Sequence, residues 1–448
     1  MSTVAETAMR FLVTIALIAA ALRASADPES DLRASLAGKH VELARQAMKE
    51  GLTEEALTEC AAALALVPDQ ADAKAVMTQC GKPYVIGWDG GMHARYLAWS
   101  KKRDAMRHEA AGKWFALGGA AEKAGDAEGA KRLWRLATDF ETDKADARKK
   151  LGEVKIESGW VSKEEADNRK KGLLEIGGQW LPAKDVLARR AKWEEAWEMK
   201  TAHFTVRTNA SEADGRRLAA RAEELLTAIR REIQGEAGPA PVDKPYVIFY
   251  FASREDMDAH IRDVHGDKAF LKQLTGFYSP QDDIGHFCPL PAGQINSLDD
   301  VVRHEATHQI VTRMFKAGIM NTKPGYWAWE GLAVYFESVE VKDRKVLTGN
   351  PQHLRFKTAK EALEKKETAP LEEFALWEQS KMGRGYEQAG SLVHYFLRAQ
   401  NGALREKFVE FFGIEARGEA DAGTFAKVFG KTPAQVQVDW AAWLKAMK

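Results

Sequence analysis

Residues 303–309 read Arg303-His304-Glu305-Ala306-Thr307-His308-Gln309, which sets two histidines four positions apart with a glutamate beside the first. On a helix that spacing places both imidazoles on one face, a turn apart. Imidazoles so placed form a ligand pair for a divalent ion, and a neighbouring carboxylate can take a proton from a water that the ion activates. The chemistry predicted is metal-assisted hydrolysis, with His304 and His308 as ligands and Glu305 as general base. A motif this short also arises by chance in a chain with 11 histidines, so its flanks must decide.

The flanks predict a helix over 298–317. Ser297 precedes Leu298-Asp299-Asp300, an N-cap followed by acidic residues that face the positive helix end. Val301, Val302, Ile310, Val311, Met314 and Phe315 recur at helical spacing, and Gly318 supplies a stop. A second helix is predicted over 327–339, after the turn residues Pro324 and Gly325. A hydrolytic zinc takes three protein ligands and keeps one position open, and two histidines with a glutamate are an established set. Glu330, 22 residues beyond His308, is the candidate third ligand. A solvated surface carboxylate is the alternative, and it sits poorly between Trp329 and Leu332. Glu337 lies two turns further along the same face; it either accepts a hydrogen bond from a ligating imidazole or is a surface charge.

His304-Glu305-x-x-His308 followed by Trp329-Glu330-Gly331-Leu332-Ala333 resembles the gluzincin metallopeptidases, above all their aminopeptidase-type branch and the gluzincin-like domains of exported bacterial proteins. The resemblance runs from about Lys200 to the C-terminus. It implies one Zn2+ held by His304, His308 and Glu330, and a Glu305 that passes the water's proton to the leaving amine. Gly385-Tyr386-Glu387-Gln388-Ala389-Gly390 is similar to a helix start in the same branch. By that likeness the Tyr386 phenol donates to the substrate oxyanion, the alternative being a packing tyrosine. The chain departs from the branch in one respect, since it has no Gly-x-Met-Glu-Asn strand to grip a free amine. Asp283 to Pro289 is expected in its place, as an edge strand pairing with extended substrate. His286 is a candidate substrate contact there, or else a structural histidine. The departure implies an endopeptidase rather than an aminopeptidase.

These residues need a scaffold. The peptidase-like domain is expected over 200–448, as an α+β unit. His203 to Thr208 and Tyr246 to Phe251 read as strands, Glu212 to Ile233 as a long amphipathic helix, and Gly235 to Pro241 as a linker. A helical part follows over 384–448, with Phe408 to Phe412 and Trp440 to Leu444 packed over the ligand helices and Gly383-Arg384-Gly385 as a loop at the rim. Upstream, 30–155 reads as helical repeats: Gly51 and Gly125, and Ala71 and Ala145, recur 74 residues apart. Turn glycines before small alanines are similar to tetratricopeptide repeats at about 34 residues each with a small insertion. Such repeats either bind a protein partner or act as a spacer. A connector over 156–199 repeats Gly159-Trp160-Val161 as Gln179-Trp180-Leu181, with tryptophans expected in its core or, alternatively, stacking on sugars. The expected fold class is therefore multidomain: a helical-repeat region, then an α+β metallopeptidase domain with a helical C-terminal part.

Lys+Arg and Asp+Glu both number 65, so the chain has no net charge and no basic stripe with which to bind nucleic acid. Arg10, the apolar run Phe11 to Leu22 and Ala24-Ser25-Ala26 predict a signal peptide over 1–26 and an exported protein; an uncleaved membrane anchor is the alternative. In that compartment Cys60 and Cys80 either pair or stay buried thiols, and Cys288 is left over. The expected substrate is a peptide or protein. The competing readings are a zinc amidase acting on a non-protein amide, and a binding scaffold with an inert peptidase-like fold.

Overall fold

The computed structural model describes residues 27–80, 90–156, 159–233, 244–266, 274–291, 293, 297–317, 325–342 and 345–447. The expected signal peptide, the Gly235–Pro241 linker apart from any described neighbour, Gly318 and Pro324 lie outside these residues. The chain is mostly helical with one small mixed sheet, and it divides into two compact units whose main boundary falls at Leu173. No helix of the described residues is long and apolar enough to cross a membrane.

In the first unit a trio of helices occurs twice: Pro28–Lys49, Thr53–Leu66 and Ala71–Cys80, then Gly90–Lys123, Ala127–Phe140 and Ala145–Lys150. Gly51 and Gly125 occupy the matching turns, both at positive φ (74° and 87°), where a side chain would be strained. Alanines at 0 % exposure, such as Ala44, Ala56, Ala111 and Ala130, sit where helices meet. The three cysteines are free thiols; Cys80 Sγ faces Met48 Sδ at 3.7 Å.

The repeated tryptophan module is a hairpin followed by a short helix: Glu153–Ile156 with Gly159–Ser162 and Lys163–Lys170, then Leu173–Ile176 with Gln179–Pro182 and Ala183–Arg190. The tryptophans are not its core. Ala166, Ile176 and Val186 are buried, whereas Trp160 and Trp180 are half-buried. Trp160 Nε1 donates to Asp143 Oδ1 at 2.7 Å, and Arg148 and Lys155 lie over the ring. With only four residues per strand, these hairpins have room for small aliphatic side chains at the centre and carry the indoles at the rim.

The second unit is built on a five-stranded sheet with the order Trp197–Lys200, Phe204–Thr208, Tyr246–Tyr250, Ile284–Phe287, Gly276–Ser279. The two outer pairings are antiparallel and the two inner ones parallel. One face of the sheet receives the long helix Glu212–Ile233 and the histidine helix Leu298–Met314, sealed by Phe204, Val206, Ile248, Phe287, Leu218, Leu226, Val302 and Ile310. Alternation sends Phe249, Phe277 and His286 to the other face, under the helix Arg254–His265 with Phe251 and Met257. Ile284–Phe287 is thus an interior strand, paired on both sides. The edge expected at Asp283 to Pro289 belongs instead to Gly276–Ser279, whose four residues are all buried and show no alternation.

The histidine helix starts in a capping box, Ser297 Oγ accepting from Asp300 N and Asp300 Oδ2 accepting from Ser297 N. It ends three residues before the expected 317. Lys316 takes the left-handed conformation (φ 50°) and Ala317 N returns to Thr312 O at 2.9 Å, a Schellman closure without glycine. Gln309, fully buried, donates to the carbonyls of Val247 and Asp283, and Arg313 pairs with Asp283. Those contacts fix the helix rotation on the sheet.

The glutamate helix Trp327–Glu337, also shorter than the expected 327–339, is buried along its whole length. The tyrosine helix Tyr386–Arg398 packs directly on it, and glycines set the distance. A Cβ on Gly331 would lie 2.6 Å from the Ala389 carbonyl oxygen, and one on Gly390 would overlap Val334. Gly331→Ala is expected to lower stability by about 1–3 kcal/mol, because the obstacle is backbone and cannot rotate away. Denaturant midpoints measure this; an unchanged midpoint would contradict the close approach. Beyond it, Phe412 packs on Trp329 and Phe315, while Trp440 donates to Ser391 of the tyrosine helix rather than covering the ligand helices. Gly383 and Arg384 do not form an open loop: residues 379–384 make a 3-10 turn pinned by buried Met382.

Candidate metal centre

Three donor-bearing side chains converge from the two ligand helices. The candidate ligand atoms of His304, His308 and Glu330 all lie within 4.8 Å of one another, the one such group among the described residues. Glu330 Oε2 stands 3.1 Å from His304 Nε2 and 3.6 Å from His308 Nε2, and the imidazole planes are inclined by 80°. Glu330 and His308 are buried, whereas His304 keeps 12 % of its side chain exposed and Glu305 and Tyr386 are half-buried. The cluster therefore opens to solvent on the side of Glu305 and Tyr386.

Its electrostatics suit a cation. Burial by itself would favour neutral His304, yet hydrogen bonds to Glu330 and Glu337 push its pKa up to about 10. Burial opposes ionisation of Glu330, and the two histidines outweigh it, holding this carboxyl well below the usual range. Burial raises Glu305, with the histidines acting against that trend. Two imidazoles and one carboxylate are the donor types that suit zinc, and three donors leave room for water or substrate. The residues fit the ion.

Glu337 Oε1 accepts from His304 Nδ1 at 2.8 Å, an arrangement that fixes the tautomer and aims Nε2 at the cluster. Tyr386 begins its helix with its ring 6.0 Å from the His304 ring. Burial, then the charges of Glu330 and Glu305, raise its pKa, so the phenol keeps its proton and can donate. His286 is not brought to this site. It is fully buried on the opposite face of the sheet, stacked on Phe277 at 4.9 Å and 3.1 Å from Asp282. Period-two alternation explains the miss, since Gly285 and Phe287 are the residues turned toward the histidine helix.

Three further groups belong to the site. The backbone N–H of Tyr278, in the edge strand, donates to Glu305 Oε2 at 3.0 Å. Tyr326, 2 % exposed and four residues before Glu330, is close enough that, after burial, the charge of that carboxylate raises the pKa of its phenol; the i,i+4 spacing is its sequence signal. Arg355 grips Glu337 through Nε (2.8 Å) and Nη2 (3.2 Å), and no local pattern marks it.

Glu415, from the helix Arg405–Ala416, packs its carboxyl against Gly325 just before the glutamate helix, and burial pushes it up to about 7. Its folded pKa lies above the unfolded value of 4.5, so the native state holds the proton more tightly and stability falls as pH rises from about 4.5 to 7. Glu415→Gln is expected to exceed wild type in stability by about 1–3 kcal/mol at pH 8, with the gain disappearing near pH 4.5. Chemical denaturation at the two pH values checks this, and a pH-independent difference would contradict it.

Part of the chain is similar to a known family. A family model described as "Protein of unknown function (DUF1570)" matches residues 300–417. That stretch contains His304, Glu305, His308, Glu330, Glu337, Arg355 and Tyr386. No curated protein matches the chain.

Proposed function

We propose that this protein is an exported zinc-dependent metallopeptidase of gluzincin type, with Glu305 as general base and tetratricopeptide-like repeats ahead of the catalytic unit. The observation that carries the reading is the convergence of His304, His308 and Glu330 within 4.8 Å on two packed helices, with Glu305 one residue from the first ligand. When bound, Zn2+ would supply Lewis acidity and lower the pKa of a water. His304, His308 and Glu330 would hold it, and Glu337 keeps His304 oriented.

Glu305 stands on the open side of the cluster, where it takes a proton from the attacking water and delivers it to the leaving amine. Its raised pKa, a consequence of burial, suits both halves of that transfer. Tyr278 N–H holds one carboxylate oxygen of Glu305, which leaves the other for the water. Tyr386 donates its phenolic proton to the substrate oxygen that gains charge. Cleavage within chains is favoured over aminopeptidase action, since the sequence has no Gly-x-Met-Glu-Asn strand to grip a free amine.

The test is digestion of a mixed peptide library by the full chain supplied with Zn2+, with Glu305→Gln as control. Products of internal cleavage that vanish in the variant support the reading. Identical product profiles for the two proteins would refute it, and one-residue losses from N-termini would replace endopeptidase with aminopeptidase.

A further inference from the structure

Arg355 is the second residue of the helix Leu354–Glu364, remote in sequence from all three ligands, and its guanidinium is 18 % exposed. Nε and Nη2 bond the two oxygens of Glu337, and Nη1 bonds Glu387 Oε1 at 2.8 Å. The same Glu337 oxygen that receives Nη2 also accepts from His304 Nδ1. Glu387 is the neighbour of Tyr386, whose ring centre lies 5.9 Å from the guanidinium carbon. A continuous chain of bonds therefore runs from the imidazole through Glu337 and Arg355 to the first turn of the tyrosine helix.

We propose that Arg355 is a positioning residue for the metal centre, locking Glu337 in the rotamer that orients His304 and fastening the start of the tyrosine helix to it. The inference rests on the metal-binding reading above. Glu337 has several rotatable bonds, and the two guanidinium bonds fix both of its oxygens, one of which is the acceptor for His304 Nδ1. A guanidinium serves both ends because its planar fork bonds one carboxylate with two N–H groups and still has a third pointing elsewhere. Lysine has one nitrogen and cannot span the same pair with that geometry.

The consequence concerns affinity before turnover. Partners that orient a ligating histidine typically change metal affinity by about 10- to 100-fold when removed. If Arg355 acts through Glu337, its loss and the loss of Glu337 must overlap instead of multiplying.

The experiment is Zn2+ affinity by competition with a chromophoric chelator, on full-length wild type, Arg355→Met, Glu337→Gln and the double variant. Circular dichroism of each metal-free protein checks folding. Each single variant is expected to bind about 10-fold or more weakly, and the double variant no more weakly than Glu337→Gln alone. Arg355→Lys, kept for the case in which Arg355→Met does not fold, is expected to bind more weakly than wild type despite its retained charge. Wild-type affinity in both Arg355 variants, or losses that multiply in the double variant, would overturn the proposal while leaving the metal site standing. No Zn2+ uptake by wild type would instead remove the metal-binding reading, and the proposal with it.

Discussion

Glu305→Gln is expected to cut turnover by about 10²–10⁴-fold while the protein still takes up its metal. The substitution keeps the shape and one acceptor oxygen, so the hydrogen bond from Tyr278 N–H can persist. What it removes is the basic oxygen on the open side. Glu305 is one residue from His304 but is not among the three atoms that converge, so affinity and chemistry separate in this variant. Peptide hydrolysis rates and metal content on the same preparation check both halves. Loss of metal together with activity would make Glu305 a ligand, and full activity would remove it from the reaction.

Stripping the metal is expected to lower Tm substantially. Without an ion, the partly exposed His304, the buried His308 and the buried Glu330 must satisfy one another, at a cost that a cation relieves. A ligand at 1,000 times its Kd stabilises the folded state by about 4 kcal/mol. For a unit of this size that corresponds to roughly 10 °C, at about 2–4 °C per kcal/mol. Melting curves with a chelator and with added Zn2+ measure the difference. His308→Ala should melt at one temperature under both conditions. An equal Tm for wild type with and without Zn2+ would contradict the expectation.

The parts of the site legible in the sequence were those encoded by local spacing. His304, Glu305 and His308 need only one helix, and the cap at Ser297 is written in adjacent residues. Glu330 was reachable because chemistry demanded a third ligand and a buried helix carried a carboxylate between Trp329 and Leu332. The long helix Glu212–Ile233 was plain from its amphipathic pattern and has the expected bounds.

What failed depended on pairing between distant segments. Ile284–Phe287 precedes the histidine helix, where the family resemblance implies an edge strand; the edge is Gly276–Ser279, paired antiparallel on its outer side. Of the two readings of His286, substrate contact or structural histidine, its buried place against Phe277 and Asp282 agrees with the structural one, because a one-residue step along a strand decides which face a side chain takes. Arg355 reaches Glu337 across 18 residues and a separate helix, with no periodicity to announce it. The tryptophans of the repeated hairpins looked like core because of their size, yet four-residue strands cannot enclose an indole.

The most direct measurement is the metal content of purified full-length protein, by elemental analysis, for wild type and His308→Ala side by side. About one equivalent of zinc in wild type and none in the variant is the predicted result. Wild type that carries no metal, and takes up none when Zn2+ is added, would contradict a metal centre at His304, His308 and Glu330.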